Sequence, residues 1–195
     1  FKVQDEIGNK ILGQLHITAV VGQEEKQWMS EFETFDQYLL FLNYETEWSK
    51  WTKEGYENTL EILEKLRSLN TNKNVIDYVE GWTLHQGLLL GLSQNKKEED
   101  LKRLDYLTSS ALKNSGSDRD HSLRAIVELE HLSKDCSISK QCLPKGIDVS
   151  NSSYVLVTAG FINLHYGDYE KSIEYFHEAL RFAPNDRGYL VTYML

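Results

Sequence analysis

The chain has few residues that interrupt helices, since only 2 prolines occur among its 195 residues. Proline removes a backbone donor and clashes with the preceding helical turn, so its scarcity permits long helices along most of the chain. Leu, Glu and Lys, which favour helices, are abundant. Convincing strand patterns are missing, and helix–loop–helix patterns recur. The sequence therefore predicts an all-α fold built of antiparallel hairpins.

Basic residues are outnumbered, because 21 Lys and Arg face 30 Asp and Glu, for a formal net charge of −9. Proteins that bind nucleic acid need an excess of Lys and Arg to neutralise phosphates, so no nucleic-acid partner is expected. No run reaches the roughly 18 apolar residues of a membrane span. The longest candidate, Ile11–Gly22, is shorter and contains Gln14 and His16. We expect a soluble protein, either cytoplasmic or exported after removal of a targeting segment.

Cysteine is equally scarce, and the only two, Cys136 and Cys142, lie close together in residues 135–151. This segment has little periodicity, which predicts an irregular loop. In an oxidising compartment the two thiols are candidates for a disulfide, and in the cytosol they would be free. Two cysteines without further ligands do not make a structural zinc site. The loop therefore predicts no metal.

Apolar residues that recur every three or four positions predict most of the helices. We expect a helical segment over residues 1–23 and helical hairpins over residues 24–134. The first of these helices is predicted from about Glu24 to Trp48. Its predicted core-facing stripe is Trp28, Phe32, Phe35, Leu39 and Leu42.

Another predicted helix, Val75–Leu92, contains three glycines: Gly81, Gly87 and Gly91. Each glycine costs about 1 kcal/mol relative to alanine inside a helix. Small residues also let two helix backbones approach closely, so we predict a helix whose glycines face tightly packed neighbours.

The stretch GDYEKSIEYFHEALRFAPND, Gly167–Asp186, predicts a helix with a turn before it and a stop after it. Gly167 permits a tight reversal, and Pro184 prevents the helix from continuing. Gly160 and Ala179 are small, as expected where two helices cross closely. Large residues fill the space between the helices of the hairpin and its neighbour, a role predicted for Tyr169 and Phe176.

These positions match the slots of a two-helix repeat of about 34 residues when Pro184 is placed in its proline slot. Residues 153–186 therefore resemble a tetratricopeptide repeat, and the alternative is an unrelated helical hairpin with a glycine turn. Residues 24–134 are similar to the family by their pattern of elements alone. Because such repeats need neighbours to bury their faces, the resemblance implies a stacked α-solenoid of about eight or nine helices.

Tetratricopeptide proteins are mostly non-catalytic scaffolds that bind a peptide or helix of a partner protein. The resemblance implies a binding groove lined by the first helix of each repeat. In residues 153–186 the groove slots hold Tyr154, Val157, Phe161, Leu164 and His165. The Lys and Asn with which one subgroup grips a C-terminal carboxylate are absent from these slots. The competing interpretation is that another part of the chain buries this face as core.

Catalytic signatures are also missing, including a glycine-rich phosphate loop and a nucleophile motif, so no cofactor is expected. His121, Glu128 and His131 lie roughly on one face of a predicted helix. His121 and Glu128 are about two turns, or roughly 10 Å, apart, which is too far for a shared zinc. We therefore favour a scaffold, adaptor or assembly factor. The alternative is a helical metal-dependent hydrolase with an unrecognised site.

The last stretch, residues 187–195, predicts the start of a further helix. Its apolar residues lie on nearly every side, unlike the polar outer face of a terminal solenoid helix. The candidate interface residues are Tyr189, Leu190, Tyr193 and Leu195. We expect either that further repeats would follow this piece, or that a partner or a second copy covers its end.

Overall fold

The computed structural model describes residues 30–93, 97–114, 117–132 and 153–182. These residues form α-helices and no strand, which confirms the all-α prediction for the described part of the chain. The seven helices are α1 (Phe35–Trp48), α2 (Lys53–Ser68), α3 (Lys73–Leu90), α4 (Lys97–Asn114), α5 (Asp118–Val127), α6 (Ser153–His165) and α7 (Tyr169–Phe182). The helical segment predicted over residues 1–23 lies outside the described residues. None of the described helices has the length and apolar character needed to cross a membrane.

Each helix packs against its neighbour in sequence, from α1 on α2 through to α6 on α7. Further contacts join α3 to both α1 and α5. A π-helical turn, Glu128–Leu132, follows α5 directly. The first core cluster joins α1, α2 and α3, and smaller clusters join α5 to α4 and to α6.

Helix α1 begins at Phe35, which corrects the predicted start near Glu24. Thr34 is the N-cap, and its side chain accepts a hydrogen bond from the Gln37 backbone N–H. The Gln37 side chain in turn accepts from the Thr34 backbone, completing a capping box. Residues 30–34 are not helical, so the predicted continuous helix is wrong across this stretch.

The predicted core-facing stripe of α1 is also wrong in its helical part. Phe35, Leu39 and Leu42 are each more than 40% exposed. The core is instead formed by another face of the helix, where Phe41 and Tyr44 stack on each other. Both faces repeat with helical spacing, and the buried one is the face that meets α2 and α3, where Phe41 packs against Tyr78.

Helix α3 contains Gly81 and Gly87 as predicted, and both lie where another helix comes close. A Cβ on Gly87 would lie 2.8 Å from the Tyr56 ring of α2, and one on Gly81 would lie 2.8 Å from a Leu123 methyl of α5. Gly91 is not inside the helix, because it is the C-cap, with a left-handed φ of 67°. Glycine is favoured there since it tolerates positive φ.

A three-residue ion-pair network ties α3 to its two neighbours. The Glu80 carboxylate accepts from Arg103 of α4 at 2.7 Å and lies 2.9 Å from Arg67 of α2. Burial raises the pKa of Glu80, but the Arg103 and Arg67 guanidinium groups outweigh burial and lower it overall. Glu80 thus stabilises the α2–α3–α4 packing in its ionised form.

Candidate functional sites

The crossing of α6 and α7 is built around a glycine, as the sequence predicted. A Cβ on Gly160 would lie 2.5 Å from the ring of Phe176, which is buried. Ala159 and Ala179 are buried in the same hairpin, and the Ser172 hydroxyl donates to the Gly160 carbonyl at 2.9 Å. Small residues therefore bring the two backbones close enough for one aromatic ring to fill the space between them.

The turn of this hairpin depends on Gly167, whose φ is 81°. The Gly167 N–H donates to the Leu164 carbonyl at 3.1 Å, and the Asp168 N–H donates to the Asn163 carbonyl at 2.9 Å. These two bonds form a Schellman motif that ends α6. The predicted packing role of Tyr169 is wrong for the described residues, because its side chain is 64% exposed at the start of α7.

The predicted groove residues share one face of α6. Val157, Phe161 and Leu164 are half-buried, and His165 is exposed. The Phe161 ring packs edge-on against Phe176 at 5.5 Å between centroids. The opposite face of the same helix is buried, with Val155, Leu156, Ala159 and Ile162 at 1% exposure or less. The side chain of Tyr154, the fifth predicted groove residue, lies outside the described part of the structure.

Two predicted sites fall outside the described residues. They are the candidate disulfide and the candidate C-terminal interface, whose residues are Cys136, Cys142, Tyr189, Leu190, Tyr193 and Leu195.

A second constellation joins α3 to the π-helical turn. His85 Nδ1 lies 3.0 Å from His131 Nε2, and His85 Nε2 lies 3.6 Å from a Glu130 carboxylate oxygen. One nitrogen or oxygen atom from each of the three side chains lies within 4.8 Å of the other two. We call these three residues the histidine cluster.

The π-helical turn is what brings Glu130 and His131 to the cluster together. Residues adjacent in an α-helix point about 100° apart, and the wider π-turn reduces that angle. The turn begins at Glu128, which pairs with Arg124. Arg124 also donates to Asp105 of α4 at 2.6 Å, so the turn is anchored against a neighbouring helix.

Two tryptophan rings pack against His85, which is only 3% exposed. The Trp82 ring packs edge-on at 5.4 Å, and the Trp51 ring at 6.5 Å. Trp51 has a left-handed φ of 49°, which is unusual for a bulky residue. The next residue along α3, Gln86, donates to the Trp48 carbonyl at 2.7 Å and so ties the end of α1 to α3.

Burial determines the charge state of the cluster. Burial, together with the smaller effect of the nearby His131, lowers the pKa of His85 to about 3. The pKa of His131 is lowered as well, first by burial and then by the charge of Lys97. Both imidazoles are therefore neutral at neutral pH, with a nitrogen lone pair each. Partial burial raises the pKa of Glu130.

Sequence reasoning named His131 but paired it with His121 and Glu128. The structure places Glu128 against Arg124 instead, and the partners of His131 are His85 and Glu130. A polar His inside the apolar stretch WTLHQGLLLGL was the one available signal for a buried polar site.

Comparison with known proteins gives no relative for this chain. No protein-family model, no curated protein and no solved structure matches it.

Proposed function

We propose that this chain is a tetratricopeptide-like scaffold, an adaptor or assembly factor that binds a peptide or helix of a partner protein. The observation that carries the proposal is the two-sided character of α6. One side is buried in the hairpin, while Val157, Phe161 and Leu164 keep part of their apolar surface exposed beside His165. An apolar strip bordered by polar groups is a typical protein-binding surface.

The packing order of the other helices supports a stack of hairpins. In an α-solenoid the first helix of each unit contacts the first helix of the next, and these helices together line the concave surface. Helices α1, α3 and α5 make such contacts, and α2 and α4 connect them. We assign α1–α2, α3–α4 and α6–α7 as three hairpins of this stack, with α5 opening a further unit.

The chemistry of the groove face favours one class of partner. An amphipathic helix places its apolar residues at intervals of three and four, which fits a strip running along α6. The scaffold carries a net charge of −9, so basic residues on the polar side of the partner would speed association. We therefore propose a helical segment with an apolar face and a basic face.

A second part of the proposal concerns the predicted C-terminal interface. Tyr169 and Ile173 form an exposed apolar ridge on α7. In a solenoid the following helix covers this ridge, and residues 187–195 carry the apolar side chains for it. We propose that these residues cover the ridge within one chain or, exchanged between two copies, form a homodimer.

The test is selection of binders from a library of helical peptides displayed on phage. Peptides selected on the wild-type chain should lose binding by at least tenfold to a Leu164→Glu variant, because a buried unpaired charge opposes docking. The matched control is Tyr106→Glu, since Tyr106 is an exposed apolar residue on α4, away from α6.

Both variants should keep the far-ultraviolet circular dichroism and melting temperature of the wild type. If the peptides bind Leu164→Glu with the same affinity as the wild type, the α6 groove is not the binding site. A selection that yields only peptides sensitive to Tyr106→Glu would place binding on another surface.

A further inference from the structure

We propose that the histidine cluster binds one divalent transition-metal ion, with Zn²⁺ as the best match to its ligands. Two imidazoles and one carboxylate are a ligand set that zinc and non-haem iron both use. The π-helical turn contacts α6 through Leu129 and Ile162, on the face of α6 opposite the proposed groove. Metal binding and peptide binding are measured separately, so this inference holds or fails independently of partner binding.

The spacing of the donor atoms fits a single ion. Two nitrogens bound to a tetrahedral Zn²⁺ at about 2.0–2.1 Å lie roughly 3.3 Å from each other. His85 Nδ1 and His131 Nε2 are 3.0 Å apart, so a small opening of the pair admits the ion. The third ligand, Glu130, lies nearest the other nitrogen of His85, with a carboxylate oxygen 3.6 Å from Nε2. One donor atom from each of the three side chains lies within 4.8 Å of the other two, so a shift of the Glu130 side chain completes the set. This side chain is partly exposed and has the rotamer freedom to close on the ion.

Two costly backbone conformations meet at this cluster. The π-helical turn supplies Glu130 and His131, and such turns are rare and frequent at functional sites. Trp51, whose ring contacts His85, adopts a left-handed φ. A hydrogen bond between two imidazoles requires neither feature. Strained conformations that converge on one group of side chains are typical of ligand sites.

The ligand set leaves the ion incompletely coordinated by the protein. Three protein ligands leave one coordination position for water or for a ligand. An open position of this kind is what the metal-dependent hydrolase considered from the sequence would require.

The experiment is a titration of chelator-treated, metal-free chain with Zn²⁺ by calorimetry, and with Co²⁺ by visible absorption. We expect one ion per chain and the intense visible bands of four-coordinate cobalt. His131→Ala and Glu130→Gln should each weaken Zn²⁺ binding by about 100-fold, since even outer-shell partners of a ligand change affinity 10–100-fold.

Matched controls are His177→Ala and Glu170→Gln, two exposed side chains on α7, which should bind zinc as the wild type does. His131 and Glu130 are used because they are more exposed than His85, and unchanged melting temperatures of the metal-free variants verify folding. Fe²⁺ is titrated in the same way under anaerobic conditions. If Fe²⁺ binds more tightly than Zn²⁺ and its binding is lost in the same variants, the site is supported and its ion is iron. A wild-type chain with no stoichiometric ion, or with Zn²⁺ affinity equal to that of His131→Ala, would overturn the proposal.

Discussion

The close crossing of α6 and α7 makes Gly160 the sharpest test of the packing described above. In Gly160→Ala the added Cβ would meet three atoms of the Phe176 ring at 2.5–2.8 Å. Ordinary carbon contacts lie at about 3.5–4.0 Å, so the ring must move by roughly 1 Å. Phe176 is buried and packs against Phe161, which leaves little room for that movement.

Two free-energy contributions of opposite sign determine the stability of Gly160→Ala. Alanine is favoured over glycine inside a helix by about 1 kcal/mol. Overpacking a filled site costs typically about 1–3 kcal/mol. The two contributions leave a net cost of about 0–2 kcal/mol. Because the Phe176 ring has little room to move, we expect Gly160→Ala to fall in the upper half of this range and to lower the free energy of unfolding by about 1–2 kcal/mol. Gly81→Ala is the control, because its Cβ meets only the end of the flexible Leu123 side chain below 3.9 Å. That variant should stay within about 0.5 kcal/mol of the wild type.

The assay is urea unfolding followed by far-ultraviolet circular dichroism, with Phe176→Leu as a second background. The smaller leucine side chain of that background should remove the clash and leave only the preference of about 1 kcal/mol for alanine in a helix. The double-mutant cycle should therefore show a coupling of about 2–3 kcal/mol between the two positions. A Gly160→Ala chain as stable as the wild type would contradict this packing. The same conclusion would follow if the free-energy changes of the two substitutions simply add in the double variant, because the Phe176 ring would then not fill the space beside Gly160.

Three further predictions concern charge, redox state and assembly. Glu80→Gln should lower the free energy of unfolding by about 1–2 kcal/mol at neutral pH, because two partly exposed guanidinium groups lose their shared carboxylate. The pKa of Glu80 is lowered on folding, so its stabilisation is present above the unfolded value of about 4.3 and disappears as pH falls through the folded value. Urea unfolding at a series of pH values measures this, and a difference that persists at about pH 2 contradicts it. If the chain is isolated from an oxidising compartment, Cys136 and Cys142 should be bonded, and reduction should add about 2 Da to the intact mass. Native material that gains no mass on reduction argues against the bond. If residues 187–195 are exchanged between two copies, light scattering should show a homodimer that Leu190→Asp with Leu195→Asp converts to monomer, since charge opposes burial of an apolar face. If they cover the ridge within one chain, the same two charges should lower the melting temperature of a monomer. A wild-type monomer that these charges leave unchanged would count against the interface.

The part of the fold that could be predicted from sequence is the part fixed by local constraints. Gly167 is needed wherever the backbone must take a positive φ, and Gly160 wherever an aromatic ring approaches a helix backbone. Both requirements arise within one hairpin, so the spacing of residues in the sequence is enough to predict them. The exposure of Tyr169 was not predicted, because its spacing does not show whether its ring faces the partner helix or the outside of the hairpin.

Helix α1 shows why periodicity alone was not enough. Its sequence has two apolar faces, and the choice between them depends on which face meets α2 and α3. Phe41 contacts Tyr78 of α3, a residue distant in sequence, and this contact orients the helix. The stripe that includes Leu39 and Leu42 has the right spacing but no such partner in the core. The predicted start of α1 was too early because the apolar periodicity continues through Thr34, and the capping box that begins the helix there was not recognised.

The histidine cluster could not be predicted for a different reason. His85 and His131 are 46 positions apart, and their contact depends on α3 and α5 packing side by side. The contact also depends on a backbone irregularity, because an unbroken α-helix through residues 128–132 would point Glu130 and His131 further apart. Helical-wheel reasoning assumes the regular period that this turn breaks. The same assumption led to the search for ligands at His121 and Glu128, which regular spacing places near one face. A π-turn anchored by Arg124 is thus both the reason the cluster exists and the reason the sequence pattern concealed it.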